Sequence, residues 1–169
     1  MEIWDAYDEY ENLTGVDLVR GEAIPEGLFH LVCEIIVRHV DGDYLLMQGD
    51  YSKPNYGGWY EVTAGGSALK GEDSISCAKR ELVEETGIAE GTFRKIGSYV
   101  NHRNGTIYHN YLCITKCDKE AITLQEGETI SYKWLNETEF AKFVNSDEMI
   151  HSQKLRYESF FRDQGYCKA

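Results

Sequence analysis

The chain reads as short apolar runs broken by turn residues, interrupted by a few stretches whose apolar positions recur at helical spacing. Ile3–Tyr7 and Leu13–Val19 flank the polar stretch Asp8–Asn12 and predict a hairpin. Arg20–Gly27, with Pro25, reads as a connection. Leu28–Val40 is apolar and rich in β-branched residues, as a buried strand is. Asp41-Gly42 is a two-residue turn signal, and Tyr44–Gln48 is the partner strand. Asp50–Gly58 is a loop, and Trp59–Thr63 a short strand that delivers the chain to Gly65-Gly66, where a tight turn or a close backbone approach is permitted.

Ile75–Glu85 suits a helix, with Asp73 or Ser74 as N-cap and Gly87 placed to stop it. Ile75, Ala78 and Leu82 fall on one side of that helix and can pack on a sheet. Thr92–Arg103 and Gly105–Thr115 read as long strands joined at Asn104-Gly105. Ile122–Leu124 reads as short and extended, and Thr129–Leu135 as a further strand carrying Trp134. Asn136 caps a helix over Glu137–Val144, with Glu139 at N3. Ser152–Arg162 reads as the last helix, with Leu155, Phe160 and Phe161 as its apolar positions. Strands, a helix, more strands and then helices predict an α+β arrangement, a mixed sheet with helices against its faces.

Composition narrows this. At 169 residues and 42% hydrophobic content, one domain over 1–169 is expected, with 1–27 as hairpin and connection and 28–169 as core. The net charge of -12 argues against a partner with a polymeric nucleic-acid backbone. It also repels any small anion unless a cation bridges the two. Cys33, Cys77, Cys113, Cys117 and Cys167 are odd in number and lack C-x-x-C zinc spacing, so reduced thiols and a cytoplasmic setting are the simplest account. Cys113 and Cys117 could share a strand face. No apolar run approaches the roughly 18 residues of a membrane helix, and the acidic start MEIWDAYDEYE is unlike a signal peptide.

The chemistry concentrates on the predicted helix after Gly66. At about 100° per residue, Glu84 lies roughly 60° to one side of Glu81 and Glu85 roughly 40° to the other. Three carboxylates so close repel one another, and a hard divalent cation relieves the repulsion, since Mg²⁺ prefers carboxylate oxygens, water and phosphates. A solvated acidic helix face is the other meaning of such a cluster. Arg80 can reach Glu84 or fold back toward Glu72.

From Gly66 to Ile88 the sequence GSALKGEDSISCAKRELVEETGI resembles the Nudix box, G-x5-E-x7-R-E-U-x-E-E-x-G-U with U apolar, with every fixed position filled: Gly66, Glu72, Arg80, Glu81, Leu82, Glu84, Glu85, Gly87 and Ile88. The resemblance implies a Nudix α/β/α sandwich, with the box as loop–helix–loop at the sheet edge. It implies a metal-dependent hydrolase of a diphosphate linked to another moiety, using Mg²⁺ or Mn²⁺. It further implies metal ligation by Glu81, Glu84, Glu85 and the carbonyl of Gly65, with Glu72 and Arg80 bracing the loop and helix. In the family the general base is a box glutamate or a carboxylate on a later loop, which here points to Glu128 first and Glu126 second. The strand LLMQ resembles the one before the box in many Nudix proteins, often followed by arginine where Gly49 stands here. Lys53, Tyr56, Trp59 and Tyr60 could hold a phosphate or stack on a flat group, or simply pack. The aromatic side of the hairpin, Trp4, Tyr7 and Tyr10, could pack on the domain, wall the substrate site or form a homodimer contact.

Two other classes share parts of this pattern. WDAYDEYENLTG, LLMQ and WYEVTAGG also look like isopentenyl-diphosphate isomerase and its relatives, but the cysteine expected near Thr63-Ala64 and the histidine ligands nearby are missing. A metal-free ligand sensor on the same fold tends to lose box carboxylates, and these are intact. Nothing in the sequence selects the substrate beyond a small diphosphate compound.

Overall fold

The computed structural model of the chain describes residues 1–167; the last two positions of the expected 1–169 extent, Lys168 and Ala169, lie outside the described residues. The N-terminal hairpin forms as expected, β1 (Ile3–Tyr7) pairing antiparallel with β2 (Leu13–Val19). β3 (His30–His39) and β4 (Tyr44–Gly49) meet at Arg38 and Tyr44 and then part. β4 goes on to pair with β5 (Tyr60–Glu61), while β3 takes β6 (Ala64–Ser67) as its antiparallel neighbour. After helix α1 (Ser74–Thr86), the antiparallel pair β7 (Thr92–Asn101) and β8 (Thr106–Thr115) returns β8 parallel to β3. Strand β9 (Thr129–Leu135) then pairs with β4. The seven-stranded sheet is therefore mixed.

Alternation along the central strands gives the sheet two apolar faces. Leu31, Cys33, Ile35 and Val37 face Ala78 and Leu82 of α1. Ile36, Tyr44, Leu46 and Val62 face the second group of helices, α2 (Glu137–Val144), α3 (His151–Arg156) and α4 (Glu158–Asp163), through Phe140, Phe143, Tyr157 and Phe161. The result is the expected α+β architecture with helices on both faces. The Asn136–Glu139 capping box of α2 is present in both directions.

Five local expectations need adjustment. Gly65 and Gly66 make no turn; they lie within β6, opposite Glu34 and Cys33. Of Trp59–Thr63 only Tyr60 and Glu61 enter a ladder. The last helix is broken at Tyr157 (φ -108°, ψ 9°). Before the break, Gln153 accepts from the Val62 amide at 3.2 Å and Arg156 grips Glu34 at 2.6 and 2.9 Å, tying that turn to the sheet. After it, Phe160 and Phe161 enter the core, while Leu155, roughly 200° around the helix from Gln153, is exposed. Cys117 lies beyond the end of β8, so it shares no strand face with Cys113. Ile122–Leu124 joins no ladder either; its contact is the Thr123 amide donating to Thr86 at the end of α1, at 2.9 Å.

The hairpin is latched across the sheet by polar groups. His109 of β8 is buried, with one ring nitrogen 2.7 Å from Ser74 Oγ and the other 2.9 Å from Glu11 Oε2 at the hairpin tip. Ser74 Oγ also lies 2.6 Å from the Tyr111 hydroxyl. One tautomer satisfies every contact: Tyr111 donates to Ser74, Ser74 to Nδ1, and Nε2–H to Glu11. Glu11 adopts a left-handed φ of 65° at the hairpin tip.

Burial pushes the His109 imidazolium below its ordinary value, and nearby Lys95 adds to the shift, outweighing Glu11. The unfolded chain, with its histidine near 6.5, then binds the proton more readily. The stability this residue contributes is whole above about pH 6.5 and is lost as pH falls toward the folded-state value. Urea unfolding midpoints should drop between about pH 7 and about pH 5, and His109→Gln should show a smaller drop. Equal drops would mean that His109 binds its proton as readily in the fold as in the unfolded chain.

Candidate active site

The site begins where β6 slips between β3 and α1. A Cβ on Gly65 would lie 2.1 Å from the Cys33 carbonyl oxygen, and one on Gly66 would lie 2.5 Å from the Glu81 carboxyl carbon. Gly65 therefore requires glycine, because the Cys33 backbone passes where a side chain would be, while a side chain at Gly66 would displace the Glu81 carboxylate. The close approach puts the Gly65 and Gly66 peptides against the first carboxylate of α1. The helix itself starts on Asp73, which accepts from the Ser76 amide at 2.8 Å, and stops at Gly87 (φ 75°), whose amide donates to Val83. Buried Cys77, Ala78 and Leu82 hold the apolar side on the sheet and leave the glutamates facing β6 and solvent.

Arg80 organises those glutamates. Its Nε and NH2 donate to Glu72 at 2.9 and 2.8 Å, NH1 donates to Glu81 at 2.7 Å and Glu84 at 3.2 Å, and NH2 also reaches the Ser67 carbonyl at 3.0 Å. Both routes open to Arg80 in the sequence are thus taken at once. Glu72 further accepts from the Leu69 amide at 3.0 Å, which closes the loop between β6 and α1. Against the upward push of burial, Arg80 and that amide hold the Glu72 carboxyl below its ordinary range.

Glu85 lies on the other side, accepting from the Gly65 amide at 3.2 Å. Burial, together with the charges of Glu61 and Glu81, pushes its carboxyl up to about 8. Burial also pushes Glu81 up, opposed by Arg80. Among the described residues the carboxylates do not form a three-ligand cluster in this arrangement; Arg80 holds Glu81 and Glu84 while Glu85 turns to Gly65. The donor set nevertheless fits a hard cation: oxygens only, two of the carboxylates destabilised as anions by burial, and a backbone cradle with no room for side chains.

A cavity of about 470 Å³ opens here, lined by Gly65, Gly66, Glu81, Glu84, Glu85 and Glu128, with Arg80 and Gln125 at its wall. Glu128, from the loop before β9, is thus brought to the box; Glu126 is exposed and is not. Lys53 stands behind, 3.4 Å from both Glu128 and Glu61. Tyr56 and Trp59 pack edge to face on each other at 5.6 Å and do not line this cavity. Trp59 and Tyr60 instead line a separate cleft with Lys133 and Phe143.

Two groups were not found by sequence reasoning. Glu61 sits opposite Met47 on β4, is contacted by Lys53 and Gln153, and acts on Glu85. Its signal was a carboxylate alternating with Tyr60 and Val62 in a short strand. Glu2, Trp4 and Arg20 of the hairpin also line the cavity; for Glu2 and Arg20 no local signal existed, since their place depends on how the hairpin docks.

Comparison with known proteins agrees with this geometry. The NUDIX domain model matches residues 29–154. A Nudix hydrolase of Listeria monocytogenes is 32% identical over 154 residues, covering 89% of each chain. The fold is similar to a crystal structure from Deinococcus radiodurans (TM-score 0.69, 15% identity, 86% of this chain and 90% of that one). It is also similar to a MutT protein from Methanosarcina mazei (TM-score 0.64, 20% identity, 80% and 95%). With its intact box on a matching fold, the chain belongs to the Nudix family and is a hydrolase of phosphorus anhydrides.

Proposed function

We propose that this enzyme hydrolyses a diphosphate linkage in a small, nucleoside-diphosphate-type or related molecule, by water attack at phosphorus. Mg²⁺, or Mn²⁺ in its place, would be held by the Gly65 carbonyl and by Glu81, Glu84 and Glu85. The observation carrying this reading is that these groups and Glu128 line one cavity. A bound divalent cation supplies positive charge to the diphosphate and makes a water easier to ionise. In our reading the chain acts as one domain, in a cytoplasmic setting that the free cysteines suit.

The protein groups divide the remaining work. Glu128, steadied by Lys53, accepts the proton of the attacking water as its oxygen bonds to phosphorus. The anhydride P–O bond breaks and its electron pair leaves with the departing phosphate. Glu72 and Arg80 hold the loop and helix in register, and Gly66 and Gly87 give the box its close approach and its end. Cys33 and Cys77, the thiols nearest the box, are fully buried, so neither is placed to protonate a carbon in the cavity.

Hydrolysis of an accepted diphosphate in ¹⁸O-water should put the label into a phosphate product. An isomerised substrate with unlabelled diphosphate would overturn the proposal. Mg²⁺ should raise the Tm, by an amount equivalent to about 1.4 kcal/mol at roughly ten times its Kd. The rise should shrink in Glu85→Gln; a triple Gln variant at 81, 84 and 85 with the full rise would place the metal elsewhere. Glu128→Gln should lower kcat by about 10²–10⁴ with metal affinity nearly unchanged, and near-normal turnover would move the base to another carboxylate.

A further inference from the structure

The cavity is strongly acidic for a site that receives an anion. Glu2, Glu81, Glu84, Glu85 and Glu128 line it, against two cationic residues, Arg80 and Arg20. Arg80 is fully engaged: Nε, NH1 and NH2 are taken by Glu72, Glu81, Glu84 and the Ser67 carbonyl. Arg20 is different. Its side chain is 65% exposed, and among the described residues its guanidinium makes one contact, NH1 to Glu2 Oε2 at 2.9 Å. A guanidinium has five N–H donors, so one edge of this one stays available to a ligand.

Arg20 is also held in place, as a binding group must be. The Trp4 indole N–H donates to Glu2 Oε1 at 2.7 Å, fixing the carboxylate that holds Arg20. Trp4 in turn is buried and stacked on His30 of β3 at 4.5 Å. The Arg20 amide donates to the Glu2 carbonyl at 3.0 Å. The hairpin as a whole is fastened to the loop that leads into α1: the Lys70 amide donates to the Ile3 carbonyl at 2.9 Å, the Gly71 amide to Asp5 at 2.6 Å, and Lys70 Nζ pairs with Asp17 at 2.6 Å. Hairpin and box therefore sit in a fixed relation, with Arg20 facing the cavity that α1 opens.

We propose that Arg20 is a substrate-binding residue that grips the diphosphate directly, donating to phosphate oxygens from the hairpin wall of the cavity. The inference rests on the diphosphate reading above. It makes the hairpin part of the substrate site: the box side of the cavity presents carboxylates, and among the described residues lining it the hairpin's Arg20 is the cation with donors left to meet the anion. The planar fork of arginine matches two phosphate oxygens at once, which the point charge of lysine does not.

The test is binding of imidodiphosphate, whose P–N–P bridge resists hydrolysis, measured by calorimetry with Mg²⁺ present. The native protein should bind it. Arg20→Ala should bind about ten- to a hundredfold more weakly, the range for losing a charged hydrogen-bonding group, and Arg20→Lys should fall between the two. The Mg²⁺-induced rise in Tm without imidodiphosphate should be the same in all three, since Arg20 faces the anion and not the metal. With any turned-over substrate, Arg20→Ala should raise KM more than it lowers kcat. Equal affinity of native protein and Arg20→Ala overturns the inference and leaves the diphosphate reading standing. Weaker binding accompanied by loss of the Mg²⁺ shift also overturns it, because the residue then acts through the scaffold. Failure of the native protein to bind imidodiphosphate overturns the diphosphate reading, and this inference with it.

Discussion

Everything at this site depends on a backbone passing where no side chain could fit. Strand β6 threads between β3 and α1; a Cβ on Gly65 would run into the Cys33 backbone, and one on Gly66 would push aside the Glu81 carboxylate. Because the peptide itself forms the floor, its amide reaches a helix carboxylate, that of Glu85, without an intervening side chain. The sheet is the source of that rigidity. β3 is fixed on one side by ten consecutive register pairs with β8 and on the other by β6, so the floor cannot drift relative to the helix that stands on it.

On this floor the electrostatics are deliberately unbalanced. One guanidinium, Arg80, serves Glu72, Glu81 and Glu84, and Glu85 has only an amide and the distant Lys53 to offset burial. Burial raises the free energy of a charged carboxylate, and a like charge nearby raises it further. A protein interior tolerates such an arrangement where something else supplies the opposite charge, and a hard divalent cation matches the all-oxygen donor set. Stability and chemistry thus pull in opposite directions here: removing charge from the cluster would ease the fold and weaken the site.

The hairpin is joined to the rest of the domain by the Tyr7–Phe29 β-bridge and by side-chain contacts. Its tip is latched through Glu11, His109, Ser74 and Tyr111, and its base through Trp4, Glu2 and Lys70. Ser74 belongs to both systems, being the first residue of α1 and a member of the latch. The start of the box helix and the seat of the hairpin are consequently one structure, which is why residues as remote in sequence as Glu2 and Glu128 meet in one cavity.

What the sequence by itself determined is local. The spacing from Gly66 to Ile88 defines the box, Asp73 and Gly87 set the limits of its helix, and Asn136 with Glu139 sets the start of the next, because caps and helix phase depend on residues a few positions apart. The β1–β2 hairpin was legible for the same reason. Tertiary structure decided the rest. Gly65-Gly66 admitted a turn or a close backbone approach and lies in a strand, since only β3 could show that the missing side chains make room for a neighbour. The last helix broke at Tyr157 because Gln153 and Arg156 answer to groups on the sheet far away in sequence. Glu128 and Glu126, equivalent as letters, were separated by which of them the β9 loop turns inward. Arg20 entered the site through long-range docking alone, an interaction between residues about fifty apart, such as Lys70 and Asp17, that no local pattern encodes.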